Sequence, residues 1–254
     1  MVYINAKEAR QIENCNAMSH ANYMNDFHSL KLSTGGAFFA GNEDFFSQVV
    51  GWGFQPLINE IEQIEAFYLN CGALNVGIEY STLADLSVLN LLMTNGYQIE
   101  ECNHVSVFDL NQQSIADNNG SEISIVVCTN EELITWAKVV ARGFDCLDRI
   151  NIFERYATTK GVVCFLALLN GELAGGAAMA SHQSFADLGM SSTLNPFRGQ
   201  GIQKALLAAR LSFARAQKLS LASVITEAGS VSDNNVRKLG FVTSYSRLKV
   251  LKYF

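Results

Sequence analysis

Apolar positions along this chain of 254 residues recur with two periods, one helical and one extended. Residues 3–25 place Ile4, Ala9, Ile12 and Met18 at helical spacing. Leu57, Ile61, Ile64 and Tyr68 form a second helical face, with Pro56 at its start and Gly72 as its stop. A third helix is expected over 83–95, closed by Asn95-Gly96. Strands are expected at 30–41, with Gly35-Gly36 as a turn or bulge, at 46–54, at 74–80, and once or twice within 97–110. The polar stretch 111–121 ends in Asn-Gly-Ser. Residues 113–121 read as a linker between a first domain, 1–112, and a second, 122–254.

The second domain is more regular. A strand at 122–128 leads into Thr129 and Glu132, a capping box, and a helix that should bury Leu133, Trp136 or Ala137, Val140 and Phe144. A short helix is expected at 149–158. Apolar runs at 162–169 and 173–180 flank Asn170-Gly171, the strongest short-range hairpin signal. A strand at 185–193 feeds a helix from Ile202, whose apolar face is Ile202, Leu206, Ala209, Phe213 and Ala216. Arg210, Arg215, Gln217 and Lys218 fall off that face and read as a solvated basic surface. A strand at 219–226, a helix at 232–240 with Ser232 as its cap, and strands over 241–254 complete the chain. Residues 91–97 and 236–241 share one pattern: helix, glycine, aromatic, strand. If that is a repeat, the first domain is a degenerate copy of the second, with the uncharged Gly51-Trp52-Gly53-Phe54-Gln55 as its counterpart of the loop considered next.

That loop is Arg198-Gly199-Gln200-Gly201, between a strand and a helix. Glycines let the backbone curl closely around a ligand. The first turn of a helix has unpaired N–H groups and a dipole that favours anions, so this is a site for a phosphate or diphosphate. No Gly-Lys-Ser/Thr occurs, which excludes a Walker loop, and Lys204 stands where a dinucleotide fingerprint needs its third glycine. Arg198 to Ile202, Arg-Gly-x-Gly-Ile, resembles the acyl-CoA signature of the GNAT superfamily of N-acyltransferases, with Gln203 where Gly or Ala is usual. A subgroup of that superfamily is similar over the whole region, with Gln after Ile, and over 227–241, EAGSVSDNNVRKLGF. The resemblance covers 122–254 well and 1–110 weakly.

The resemblance implies an α/β (α+β) fold: a mixed, mostly antiparallel sheet flanked by helices, with two such units in tandem. It implies acetyl-CoA as co-substrate and transfer of its acetyl group to a primary amine by direct attack in a ternary complex. Backbone donors around Ser191 and Thr193 would polarise the acyl group. Arg198, Gly199, Gln200, Gly201, Ile202 and Gln203 would hold the diphosphate, and Asn235 the sulfur or pantetheine. Many members place a tyrosine four residues before the glycine that ends the last helix. Here that position is Val236, so Ser232 and Tyr245 stand as substitutes for the general acid. Glu227 is the candidate base and Asp187 its alternative. The missing tyrosine also admits a catalytically inactive acyl-CoA-binding or sensor module.

Charge and cysteines sharpen the picture. The net charge of −6 argues against nucleic acid as a partner. From Arg198 onward there are ten Lys and Arg against two acids, a field suited to CoA. Residues 32–137 carry fourteen acids and no Lys or Arg. Such a stretch should face water, as a solubilising surface, or a cation; on the second reading the acceptor, on a small molecule or a peptide, is cationic, and the acids Glu60, Glu62 and Glu65 steer it. Six cysteines without metal spacing read as reduced, mostly core thiols, and no metal is expected. The first residues form no signal sequence and no apolar run has membrane-span length, so a cytoplasmic monomer or homodimer without a membrane partner is expected.

Overall fold

A computed structural model describes residues 6–24, 27–57, 59–115 and 122–254. The chain packs as two compact units. Unit 1 comprises Met1–Ser106, Ile225–Asn234 and Val242–Phe254; unit 2 comprises Val107–Val224 and Asn235–Phe241. The last strand thus packs in unit 1, although chain order placed it in 122–254. Of the linker expected at 113–121, residues 116–121 lie outside the described residues, as do residues 3–5 and 25 of the first expected helix.

Unit 1 contains α1 (Ala6–Tyr23), β1 (His28–Lys31), β2 (Gly36–Phe39), β3 (Val49–Val50), α2 (Glu60–Asn70), β4 (Asn75–Ser81), α3 (Leu86–Thr94), most of β5 (Gln98–Asp109) and β11 (Val242–Tyr253). Its strand order is β1-β2-β3-β4-β11-β5. β11 runs antiparallel to β4, from Arg247↔Ser81 to Tyr253↔Asn75. Ile61, Ile64 and Tyr68 of α2 and Val88 and Leu92 of α3 pack with Val76, Ile78 and Tyr80 of β4 and with Trp52. The strand expected at 46–54 shrinks to two residues because Gly51 and Gly53 take positive φ, which extended pairing does not allow.

β11 also corrects the reading of charge. Arg247 pairs with Glu13 at 2.8 Å, Lys249 with Glu100 and Glu101 at 3.1 and 3.3 Å, and Lys252 with Glu65 at 2.9 Å. Three of the ten cations counted toward an anion site therefore serve acids of unit 1. Glu60 is buried too, so the Glu60/Glu62/Glu65 cluster is not a solvated field.

Unit 2 contains β6 (Ile123–Val127), α4 (Leu133–Gly143), α5 (Ile150–Ala157), β7 (Val162–Leu169), β8 (Glu172–His182), β9 (Phe185–Thr193), α6 (Ile202–Ala216) and the first part of β10 (Leu221–Glu227). β10 pairs parallel with β9; β9, β8, β7 and β6 pair antiparallel in turn. Asn170 and Gly171 both take positive φ at the β7–β8 turn, as the hairpin signal required. Glu132 reaches back to the Thr129 N–H at 2.8 Å, so the capping box forms, opening a 3-10 turn before α4. Phe144 is 47% exposed rather than buried, because α4 ends at Gly143. The apolar face of α6 packs through Ile202, Leu206, Leu207, Leu211 and Ala214.

The helix–glycine–aromatic pattern takes one local form in both places. Tyr97 N–H bonds Leu92 O and Gly96 N–H bonds Met93 O, with Gly96 at φ 86°. Phe241 N–H bonds Val236 O and Gly240 N–H bonds Arg237 O, with Gly240 at φ 95°. Both are left-handed helix ends of the Schellman type. Among the described residues no helix is long and apolar enough to cross a membrane. Among the described residues no two cysteines form a disulfide; only Cys15 and Cys164 are buried, and Cys102 is exposed.

Candidate functional site

The centre of unit 2 is an irregularity in β9. Its register with β8 is Ala178↔Gly189 on one side and Gly176↔Ser192 on the other. Two steps on β8 face three on β9, which is a β-bulge with Met190 and Ser191 outside the ladder. Met190 sits at φ 47°, a left-handed conformation that costs energy for a residue with a side chain. The parallel pairing of β9 with β10 ends at Asp187↔Ser223. Met190 and Ser191 thus have no strand partner in the ladder with β8 or the ladder with β10, and their backbone groups can turn to something else.

Side chains take up the carbonyls around the bulge. Trp136 Nε1 donates to Ala177 O at 2.9 Å, and Ser192 Oγ to Val140 O at 3.2 Å. Arg210 Nη1 donates to Ala178 O at 3.1 Å and Gly189 O at 3.2 Å. Arg210 is only 2% exposed, so it is not part of a solvated basic face. Gly143 ends α4 against β9: a Cβ there would stand 2.4 Å from Ser192 Oγ, so only glycine allows the approach. Ser191 Oγ is buried with no hydrogen-bond partner, an unspent polar atom at the bulge.

After Thr193 a 3-10 turn over Asn195–Phe197 leads into the glycine loop. Arg198 Nε donates to Thr193 O at 3.2 Å and its Nη2 to Gly143 O at 3.0 Å. It therefore ties the loop to the ends of β9 and α4. Gln200 Nε2 donates to Pro196 O at 3.0 Å. Gly199 and Gly201 take φ 78° and 86°, which a residue with a Cβ adopts only under strain. Among the described residues the amides of Gly199, Gln200, Gly201 and Ile202 make no backbone hydrogen bond. Gly201 caps the 15-residue α6 without a side-chain bond, and no acid occupies its first turn. Gln203 Oε1 accepts from Asn235 Nδ2 at 2.6 Å, so two of the residues expected to bind CoA meet.

The expected acid–base residues are placed differently: Glu227, Ser232 and Tyr245 all belong to unit 1. Tyr245 is 5% exposed and donates to Glu13 Oε1 at 2.6 Å; burial, then the Glu13 charge, pushes its phenol well above the usual range. That is the setting of a core ion-pair network, not of a proton donor open to a ligand. Ser232 does not cap the last helix, α7 (Val231–Lys238). Ser230 does so, its Oγ accepting from Asp233 N at 3.1 Å. Glu227 is exposed at the end of β10. Val236 is 2% exposed in the unit 2 core and carries no chemistry. Sequence reasoning also missed Asp233, wholly buried, with His104 Nδ1 at 3.2 Å and Gly229 N–H donating to it at 3.0 Å.

No family model matches the sequence, and no curated protein sequence does either. Solved structures do. A GCN5-related N-acetyltransferase from Kribbella flavida superposes with a TM-score of 0.71, at 14% identity, over 95% of each chain. The chain has the GNAT fold. A GCN5-related N-acetyltransferase from Sphaerobacter thermophilus gives a TM-score of 0.61 at 16% identity, over 81% of this chain and 71% of its own. A tandem GNAT protein from the clavulanic acid biosynthesis pathway gives 0.59 at 13% identity, over 75% of this chain and 67% of its own. At these identities the likeness concerns the GNAT fold and not the reaction.

Proposed function

We propose that the protein is an N-acyltransferase that moves the acetyl group of acetyl-CoA to a primary amine by direct attack in a ternary complex. The observation that carries this reading is the β9 bulge followed directly by Gly199-x-Gly201 at the start of α6, on a GNAT fold. The residues fit the co-substrate: loop amides without backbone partners suit a diphosphate, and the bulge leaves backbone donors and Ser191 Oγ beside it. The thioester supplies an activated acyl group. The amine nitrogen bonds the carbonyl carbon as the C–S bond breaks; the amine proton leaves to water, and the thiolate takes a proton from solvent. We place the protein in the cytoplasm, where acetyl-CoA and reduced thiols coexist.

The acceptor is a primary amine on a small molecule or peptide, cationic in solution. A second reading is an inactive acyl-CoA-binding module, favoured by the buried Val236 and by Tyr245 bound to Glu13. Acetyl-CoA incubated with a panel of amines decides: amine-dependent thiol release supports the enzyme, while tight CoA binding without release supports the module. The rate with the best amine should fall as salt rises if charge steers it, and an unchanged rate removes that part of the proposal.

A further inference from the structure

Arg210 is an expensive residue where it stands. It is wholly enclosed on α6, with Leu206 O, Ala178 O and Gly189 O as the partners of its guanidinium. Burial draws its pKa down to about 10, and the nearby Tyr156 and Asp187 offset only part of that. A methionine would fill the same space without an enclosed charge. The cation does something for the backbone that an apolar side chain cannot. Its Nη1 spans the two strands just before the bulge, one bond to β8 and one to β9. The Gly189 carbonyl and the Met190 N–H belong to one peptide group, and no peptide bond is cis. In a trans peptide the N–H points away from the oxygen, hence away from the guanidinium. A charge-assisted bond to the oxygen draws electron density from the nitrogen and makes its N–H a better donor.

We infer that Arg210 is a positioning residue of the acyl site, fixing the bulge and polarising the Gly189–Met190 peptide so that Met190 N–H can donate to an oxygen that gains negative charge. This rests on the acyl-transfer reading above. The charge is fixed before reaction and lies in a low-dielectric setting, where it acts most strongly.

The test uses the full chain with Arg210→Met and Arg210→Lys. Arg210→Met should lower kcat by about a hundredfold, while CoA affinity by calorimetry stays within about threefold, because the diphosphate loop is at the other end of its contacts. Arg210→Lys keeps the charge but not the fork, and should lose about tenfold in kcat with the same CoA affinity. Should the methionine variant not fold, the lysine variant gives the same reading at smaller amplitude. Unchanged kcat in a folded variant overturns the inference. So does a loss of CoA binding in step with kcat, which would make Arg210 merely a prop for the fold. If the wild-type chain turns over no amine, the acyl-transfer reading falls instead. Arg210 is then judged by the Met190 amide resonance, which should shift between the CoA and acetyl-CoA complexes in the wild type and not in Arg210→Met. A Met190 resonance that responds alike in both overturns the inference.

Discussion

Two loops in this molecule share glycines of left-handed φ and differ in what reaches the donors beside them. Gly51-Trp52-Gly53 follows β3 and precedes α2; Gly199-Gln200-Gly201 follows β9 and precedes α6. All four glycines take left-handed φ, at 71°, 102°, 78° and 86°. In unit 1 the donors near the loop are already taken. Glu60, the first residue of α2 and 2% exposed, accepts from Trp52 Nε1 at 2.8 Å, Leu57 N–H at 3.0 Å, Ser33 Oγ at 2.7 Å and the Ser33 N–H. These bonds outweigh burial and hold its carboxyl below the usual range. Unit 1 therefore supplies its own anion. In unit 2 no acid lies in the loop or the first turn of α6. A glycine curl at a helix start is thus neither a ligand site nor a structural turn in itself. What decides is whether a carboxylate of the chain reaches the donors first.

The largest expected effect is on the self-filled loop. Glu60→Ala leaves four donors facing one another without an acceptor and should destabilise the fold by about 3–4 kcal/mol, read by urea denaturation. CoA affinity should not change in the same variant; if it falls, the two loops are not independent. The converse variant is Gly201→Asp, which puts a carboxylate into the open loop. It should weaken CoA binding by about 2–3 kcal/mol in a folded chain, and calorimetry on the wild type should count one CoA per chain. Equal affinity in the variant, or two equivalent sites in the wild type, breaks the comparison.

A further effect in unit 1 depends on pH. Burial pulls His20 from its ordinary 6.5 down to about 4, with Asn16 O at 3.0 Å from Nδ1 opposing. The folded state then binds this proton less readily than the unfolded one. Stability is complete above about pH 6.5 and falls as pH drops toward about 4, by at most ~1.4 kcal/mol per pH unit. His20→Gln should flatten the denaturation midpoint across that window, and an unaltered slope would place the proton elsewhere. The smallest effect is Arg198→Ala. It cuts the ties to Thr193 O and Gly143 O but leaves the loop amides, so CoA affinity should drop by only ~1 kcal/mol by calorimetry.

Local chemistry was legible in the sequence; features made by distant partners were not. Asn170-Gly171, the Thr129–Glu132 box and the glycine loop each carry their geometry in neighbouring residues. The bulge does not, because Met190 has no preference for positive φ and is held there by its surroundings. Arg210 looked like a surface charge because it fell off the apolar face expected for the helix, yet the carbonyls around the bulge give it somewhere to go. Glu60 and Glu65 looked solvated because their partners are uncharged donors, at Ser33, Trp52 and Leu57, or a cation as distant in sequence as Lys252. The place of β11 could not be read from periodicity, which tells that a strand exists but not what it pairs with.

That strand sets the order in which the protein can be made. Glu13 is made long before its partner Arg247, which lies 234 positions later. Until β11 appears, the first unit has a carboxylate without this cation, and β4 has a bare edge on that side. The usual sequence, in which the amino-terminal domain folds first during synthesis, is closed to this chain. A chain that stops before residue 242 lacks β11, so unit 1 can be finished only after this twelve-residue strand, which follows every residue of unit 2 in the sequence, has been made.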